Sequence, residues 1–200
     1  MNISKKHIVL LLFFLTTIST PYVFAAEQQD STTDDIYTTV LNLLANKSEF
    51  KQLIVYNETG IDNILDTKNM KVILFEHLVN KWPTLKKETY DSFLLKNKYN
   101  APVNALIKTK KPTNIVNEKT INSFFSTVST QKGWEAFYTK FPGAFGKIRL
   151  SQVGFDKDTT QAIVYIGHLY GRLSGTGSIF FLKRKGSKWV IFDVIEIWVS

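Results

Sequence analysis

Few residues in this chain have the types and neighbours that chemistry needs. His168 falls in a strand-like run and shares a face with Val164, Ile166 and Tyr170. A histidine there can serve as a general base or hold a ligand. Asp193 and Glu196 each sit alone among hydrophobic residues in the run Lys188–Val199. A desolvated carboxylate has a raised pKa unless a cation or donors meet it, and such groups can work as acids or bases. His168, Asp193, Glu196 and Tyr170 are therefore the candidate catalytic set. The plainer reading favours a structural ion pair or a strand end for the carboxylates, and a partly buried strand-end residue for His168.

The recognised motifs are missing. Gly171-Arg-Leu-Ser174-Gly175 has the wrong spacing for a serine elbow. Gly175-Thr-Gly177 lacks the third glycine and the helix of a dinucleotide fingerprint. Asp156-Lys-Asp158 lacks the further oxygen ligands of a calcium loop and reads as a hairpin turn. His77 and His168 stand far apart and form no metal-ligand pattern. No cofactor is implied. The absence of cysteine excludes a thiolate metal site, a cysteine nucleophile and a disulfide scaffold.

Basic residues gather in two groups. Lys108, Lys110 and Lys111 form one; Lys183, Arg184, Lys185 and Lys188 line an expected hairpin tip. Together they are candidates for an anionic partner: a phosphate-bearing envelope lipid, an acidic glycan or nucleic acid. A shared site requires the two groups to lie side by side. The plainer reading is that lysine at strand ends keeps a sheet soluble. No stacking motif accompanies the lysines, which argues against nucleic acid.

The elements that must position these residues follow from periodicity. Lys5 and Lys6 precede an apolar run, Ile8 to Ile18, and Val23-Phe24-Ala25 supplies small residues for cleavage. This is the layout of a secretory signal peptide over residues 1–25. Eleven residues are too few to span a membrane. Export to a periplasm or the extracellular medium is expected, with cleavage after Ala25 or Ala26. Removing residues 1–25 takes away two lysines and no acids, leaving 23 basic against 17 acidic residues.

Residues 26–200 read as one domain. Ser31 and Asp34 resemble a capping box before a helix from about 32 to 46. Gln52–Tyr56 reads as a strand, and Ile61, Ile64 and Leu65 suit a helical turn. Phe75, Leu78, Val79 and Trp82 fit a helix over Lys71–Lys81; Thr84 can cap the next, up to about Lys96. Val103–Ile107 stays open between strand and helix end, and Ile121–Val128 stays ambiguous. Ile115 and Val116 start a strand, and Gly133–Phe141 forms a short helix. Lys147–Phe155, Gln161–Tyr170, Thr176–Arg184 and Lys188–Val199 are four strand-like runs joined by short turns. The fold class is α+β, with N-terminal helices packed on a C-terminal antiparallel meander of four or more strands. Both faces of the last run are apolar, so both need cover: a curled sheet around a pocket, a further helix, or a second copy of the chain in a homodimer.

A set of residues carries a resemblance. Trp134-x-x-Phe137-Tyr138, Phe141-Pro142-Gly143, Ser151-x-Val153-Gly154-Phe155 and Thr160-Gln161-Ala162-x-Val164-Tyr165 lead it; Gly175-x-Gly177, Trp189 and Trp198-Val-Ser200 complete it. This pattern resembles a family of small secreted bacterial proteins, and it implies no activity. The helical first part followed by a long meander is similar in architecture to NTF2-like and cystatin-like folds, which host enzymes and binders alike. The functional expectation is a non-enzymatic exported module that binds a partner or small ligand. The alternatives are a hydrolase-type enzyme with a cone-shaped pocket, or a secreted effector acting through the basic surface.

Overall fold

Alternating hydrophobic residues between turn formers become strands, and the three-to-four spacing becomes helices. The computed structural model describes residues 20–46, 49–61, 68–103, 106–126 and 129–200, with side chains from residue 31 onward apart from 68 and 69. The helices are α1 (Thr20–Ala45), α2 (Lys68–Lys81), α3 (Lys87–Lys96), α4 (Glu118–Ser123) and α5 (Thr130–Lys140). The strands are β1 (Gln52–Tyr56), β2 (Thr113–Val116), β3 (Ala144–Leu150), β4 (Gly154–Phe155), β5 (Gln161–Gly171), β6 (Ser174–Lys185) and β7 (Lys188–Val199). The expected turn at Ile64 and Leu65, and the signal segment before Thr20, lie outside the described residues.

The fold is α+β, and its sheet is mixed. The seven strands run in the order β2-β1-β3-β5-β6-β7, with β4 also paired to β5. β3, β5, β6 and β7 form the expected antiparallel meander. β1 lies parallel to both β2 and β3, so the full sheet adds two parallel strands beyond that meander. The expected run Lys147–Phe155 is two strands, because Ser151–Val153 leaves the ladder. Ser151 Oγ takes the amide of Tyr165 at 2.8 Å, and its carbonyl accepts the Tyr37 hydroxyl at 2.8 Å. A polar side chain thus satisfies the backbone where the strand is interrupted.

Contacts divide the chain into two compact units, residues 1–32 and 33–200. Of the first, the described part is helical backbone from Thr20, with Pro21 in the first turn, where proline is tolerated. Ser31 and Asp34 therefore lie inside α1 and do not cap it. The second unit holds all three cores. Ile36, Tyr37, Val40, Leu41 and Ala45 of α1 pack on one sheet face, against Leu53, Val55, Ile148, Val164, Phe180 and others. On the opposite face, α2 and α3 place Leu74, Leu78, Tyr90 and Phe93 over Ile163, Tyr165, Ile179 and Phe181. Further along that face, α4 and α5 place Ile121, Trp134 and Phe137 over Ile54, Tyr56 and Ala144. A further helix, α1, is what covers the second apolar face. Among the described residues no helix is long and apolar enough to cross a membrane.

Two irregularities aim the side chains. In β3 a bulge at Gly146, with φ of 81°, puts Phe145 on the face of Ile148 and Leu150, which regular alternation would give to Ala144. A Cβ there would stand 2.3 Å from the Leu169 carbonyl oxygen. In β7, Phe181 pairs with Asp193 and Leu182 with Ile191, so Phe192 is the extra residue of a bulge. Trp189 and Ile191 consequently face the α1 core while Ile195 faces α2 and α3.

Candidate functional site

The structure separates the candidate catalytic residues. His168 continues the β5 face of Ala162, Val164 and Ile166, towards α1. Asp193 lies on the other side of the sheet, where it accepts the Trp82 indole N–H at 2.9 Å. Uninterrupted alternation puts Asp193 on the face of Trp189 and Ile191; the bulge at Phe192 reverses it. The Trp82 hydrogen bond, then the Val194 amide and the nearby Lys81, hold the Asp193 carboxyl below its ordinary value. This carboxylate is satisfied where it stands, the opposite of a raised general acid. Glu196 is exposed, so its expected desolvation does not occur. Tyr170 is 41% exposed.

What does assemble is a cleft of about 570 Å³ around His168. Asn46, Glu49 and Phe50, from the end of α1 and the segment after it, form one wall. Phe145, His168, Tyr170 and Thr176 from β3, β5 and β6 form the floor. Four rings run along it in a ladder. Phe50 and Phe145 have centroids 3.8 Å apart, Phe145 and His168 4.1 Å, His168 and Tyr170 4.8 Å. The Gly146 bulge turns Phe145 onto this face. Tyr138 of α5 donates its hydroxyl to the Tyr170 carbonyl at 2.9 Å, which fixes the end of the ladder. His168 is buried, with Nε2 against the Phe145 carbonyl oxygen. A carbonyl only accepts, so Nε2 carries a proton.

The two basic groups lie apart. Lys108, Lys110 and Lys111 sit in the loop before β2, held along α1: the Lys108 amide donates to Thr38 Oγ1 at 3.2 Å and the Lys110 amide to Asn42 Oδ1 at 2.7 Å. The Lys110 ammonium reaches Asn46 Oδ1 at 3.2 Å, which puts it beside the cleft. Lys183, Arg184, Lys185 and Lys188 occupy the β6–β7 turn, at the other end of the strands and near the other edge of the sheet. The side-by-side arrangement required of one anion site is therefore not formed.

A third polar cluster joins distant turns. Asp156, buried at 3% exposure, accepts the Lys86 ammonium at 2.6 Å, the Thr160 hydroxyl at 2.6 Å and the Thr160 and Gln161 amides at 2.7 Å each. Burial opposes its charge, but these donors prevail and hold its carboxyl below the ordinary value. Gln161 donates to the Thr84 carbonyl at 2.8 Å and accepts from the Lys86 amide at 3.0 Å. Lys86, with no side-chain cap, takes the N-cap position of α3 that Thr84 was expected to fill. The cluster is a structural tie. Among the described residues no three His, Asp or Glu side chains gather as a metal site would require, and no buried side-chain nitrogen or oxygen lacks a hydrogen-bond partner.

No protein-family model matches the chain. No curated protein matches it. Among solved structures, a sugar N-methyltransferase from Streptoalloteichus aligns over 96% of this chain and 84% of its own, at 10% identity and a TM-score of 0.16. A similarity that low supports no statement about fold or activity.

Proposed function

We propose that this chain is an exported, non-enzymatic binding module whose ligand is a small ring-bearing molecule seated on the Phe50–Phe145–His168–Tyr170 ladder. The observation that carries the reading is the cleft itself. Its volume lies within the range of small-molecule sites, and its lining combines three aromatic rings and His168 with Asn46, Glu49 and Thr176. Flat rings and the apolar faces of sugars pack against such ladders. Asn46, Glu49 and Thr176 supply donors and acceptors for hydroxyls or an amine at the ring's edge. The separation of His168 from Asp193 across the sheet favours binding over hydrolysis. The apolar run after Lys5 and Lys6, with small residues before Ala26, supports export to a periplasm or beyond.

Saturation-transfer NMR with sugars, nucleosides and aromatic amines tests the reading. At least one class should receive saturation from the wild type and none from Thr176→Trp, which fills the cleft floor. No transfer from any class, or transfer that persists in the variant, would overturn it.

A further inference from the structure

The β6–β7 hairpin tip carries a surface that the cleft does not use. Its strands are joined at Gly186 and Ser187, with Gly186 at a φ of 61°. Lys183 pairs with Val190 and Lys185 with Lys188, so these four side chains share one face of the hairpin. Phe192 joins that face: its ring lies 5.4 Å from Phe181, and the Lys183 ammonium stands 3.7 Å from its centroid. Phe192 is 54% exposed and Val190 38%. Arg184 extends from the other face beside the tip. From Leu182 to Phe192 there are four cations and no acid. None of the four enters an ion pair among the described residues. Nearby, Lys81 at the end of α2 lies 3.9 Å from Asp193, the β7 residue that follows Phe192, so a cation and a carboxylate border the patch.

This arrangement works against the hairpin in water. Lys185 and Lys188 are directly opposite like charges, which destabilises a ladder. Solubility alone does not require a phenylalanine and a valine beside them. The β7 bulge already discourages edge pairing, so these lysines are not needed for that purpose either. Cations next to exposed apolar side chains, on one face of a projecting element, are what an anionic bilayer surface receives. The ammonium groups meet lipid phosphates while Phe192 and Val190 enter the interfacial region. We propose that the β6–β7 tip is a docking site for an anionic phospholipid bilayer, independent of the cleft.

Vesicle co-sedimentation of residues 26–200, which hold all three cores, tests this. Phosphatidylcholine vesicles containing phosphatidylglycerol should carry the protein down, and pure phosphatidylcholine should not. Lys185→Gln with Lys188→Gln should weaken partitioning about 30-fold, at about fivefold per lysine. Phe192→Ser should weaken it at unchanged charge, and free glycerol phosphate should not compete. Lys108→Gln with Lys111→Gln should partition as wild type. All variants change exposed side chains except at Lys111, which is half-buried, and unchanged circular dichroism melts establish that they fold. Failure of the wild type to sediment, or unchanged sedimentation of the folded tip variant, overturns the proposal. So does displacement by free glycerol phosphate, which would mean an anion site only. Displacement by a single-stranded oligonucleotide at equal phosphate concentration would assign the tip to nucleic acid and overturn it equally.

Discussion

Asp156 shows what a single side chain does here. Its carboxylate gathers an ammonium, a hydroxyl and two amides at the β4–β5 turn. Asp156→Asn keeps the shape and loses the charge, and should cost roughly 2 kcal/mol at neutral pH. The folded pKa lies below the unfolded one, so the carboxylate's contribution is complete above the ordinary value near 3.9 and disappears as pH falls through the lower folded value. Urea midpoints should differ most between wild type and variant above about pH 5 and converge in stronger acid. A gap that stays constant down to low pH would assign the effect to shape instead. Asp156-Lys-Asp158 was readable as a turn, because its residue types favour one. The partner Lys86 was not readable, since it arrives 70 residues earlier in the chain. His168 kept the face that alternation assigned it. Asp193 did not, because one extra residue at Phe192 reverses the side chains from Asp193 to Glu196. The cleft wall of Asn46, Glu49 and Phe50 left no mark in local spacing; the expected strand began at Lys147, so Gly146, whose place inside a strand would signal the bulge aiming Phe145, was left outside it.

Among the elements, β5, β6 and β7 were legible because their runs alternate and their turns are short and polar. The strand Gln52–Tyr56 was found with its limits. Its parallel partners were not, because parallel pairing is made over long separations and leaves no turn signature. α1 was foreseen from 32 onward, and its apolar stripe is the part that packs. That stripe makes a paired expectation. Leu41 is fully buried and Leu43 is 45% exposed. Leu41→Ala should lower stability by about 3 kcal/mol, while Leu43→Ala should stay within about 0.5 kcal/mol. Chemical denaturation of the two variants checks which face of α1 meets the sheet. Equal losses would contradict the packing described. In α2 the buried positions are Leu74 and Leu78, continued by Trp82 just past its end, with Phe75 and Val79 half-buried, so the expected stripe was rotated by one residue at its start.

At the scale of the whole molecule, the proposed export predicts a specific first residue. Protein recovered from the exported fraction of its own host should begin at Ala26 or Glu27 by intact mass. An intact Met1 there would remove the signal-peptide reading and leave the three cores untouched, since all their members lie at Ile36 or beyond. The way the α1 core is composed has a further consequence. It joins Ile36–Ala45 with strands as late as Trp189, and its Tyr37–Ser151 hydrogen bond spans 114 positions. A ribosome makes the helix first and the strands that must cover it last. Contact order is therefore high for this core, and its closure cannot be co-translational until nearly the whole chain has emerged. Until then the apolar stripe of α1 remains uncovered by its native partners, and a factor that shields such surfaces has its longest opportunity to act on this helix.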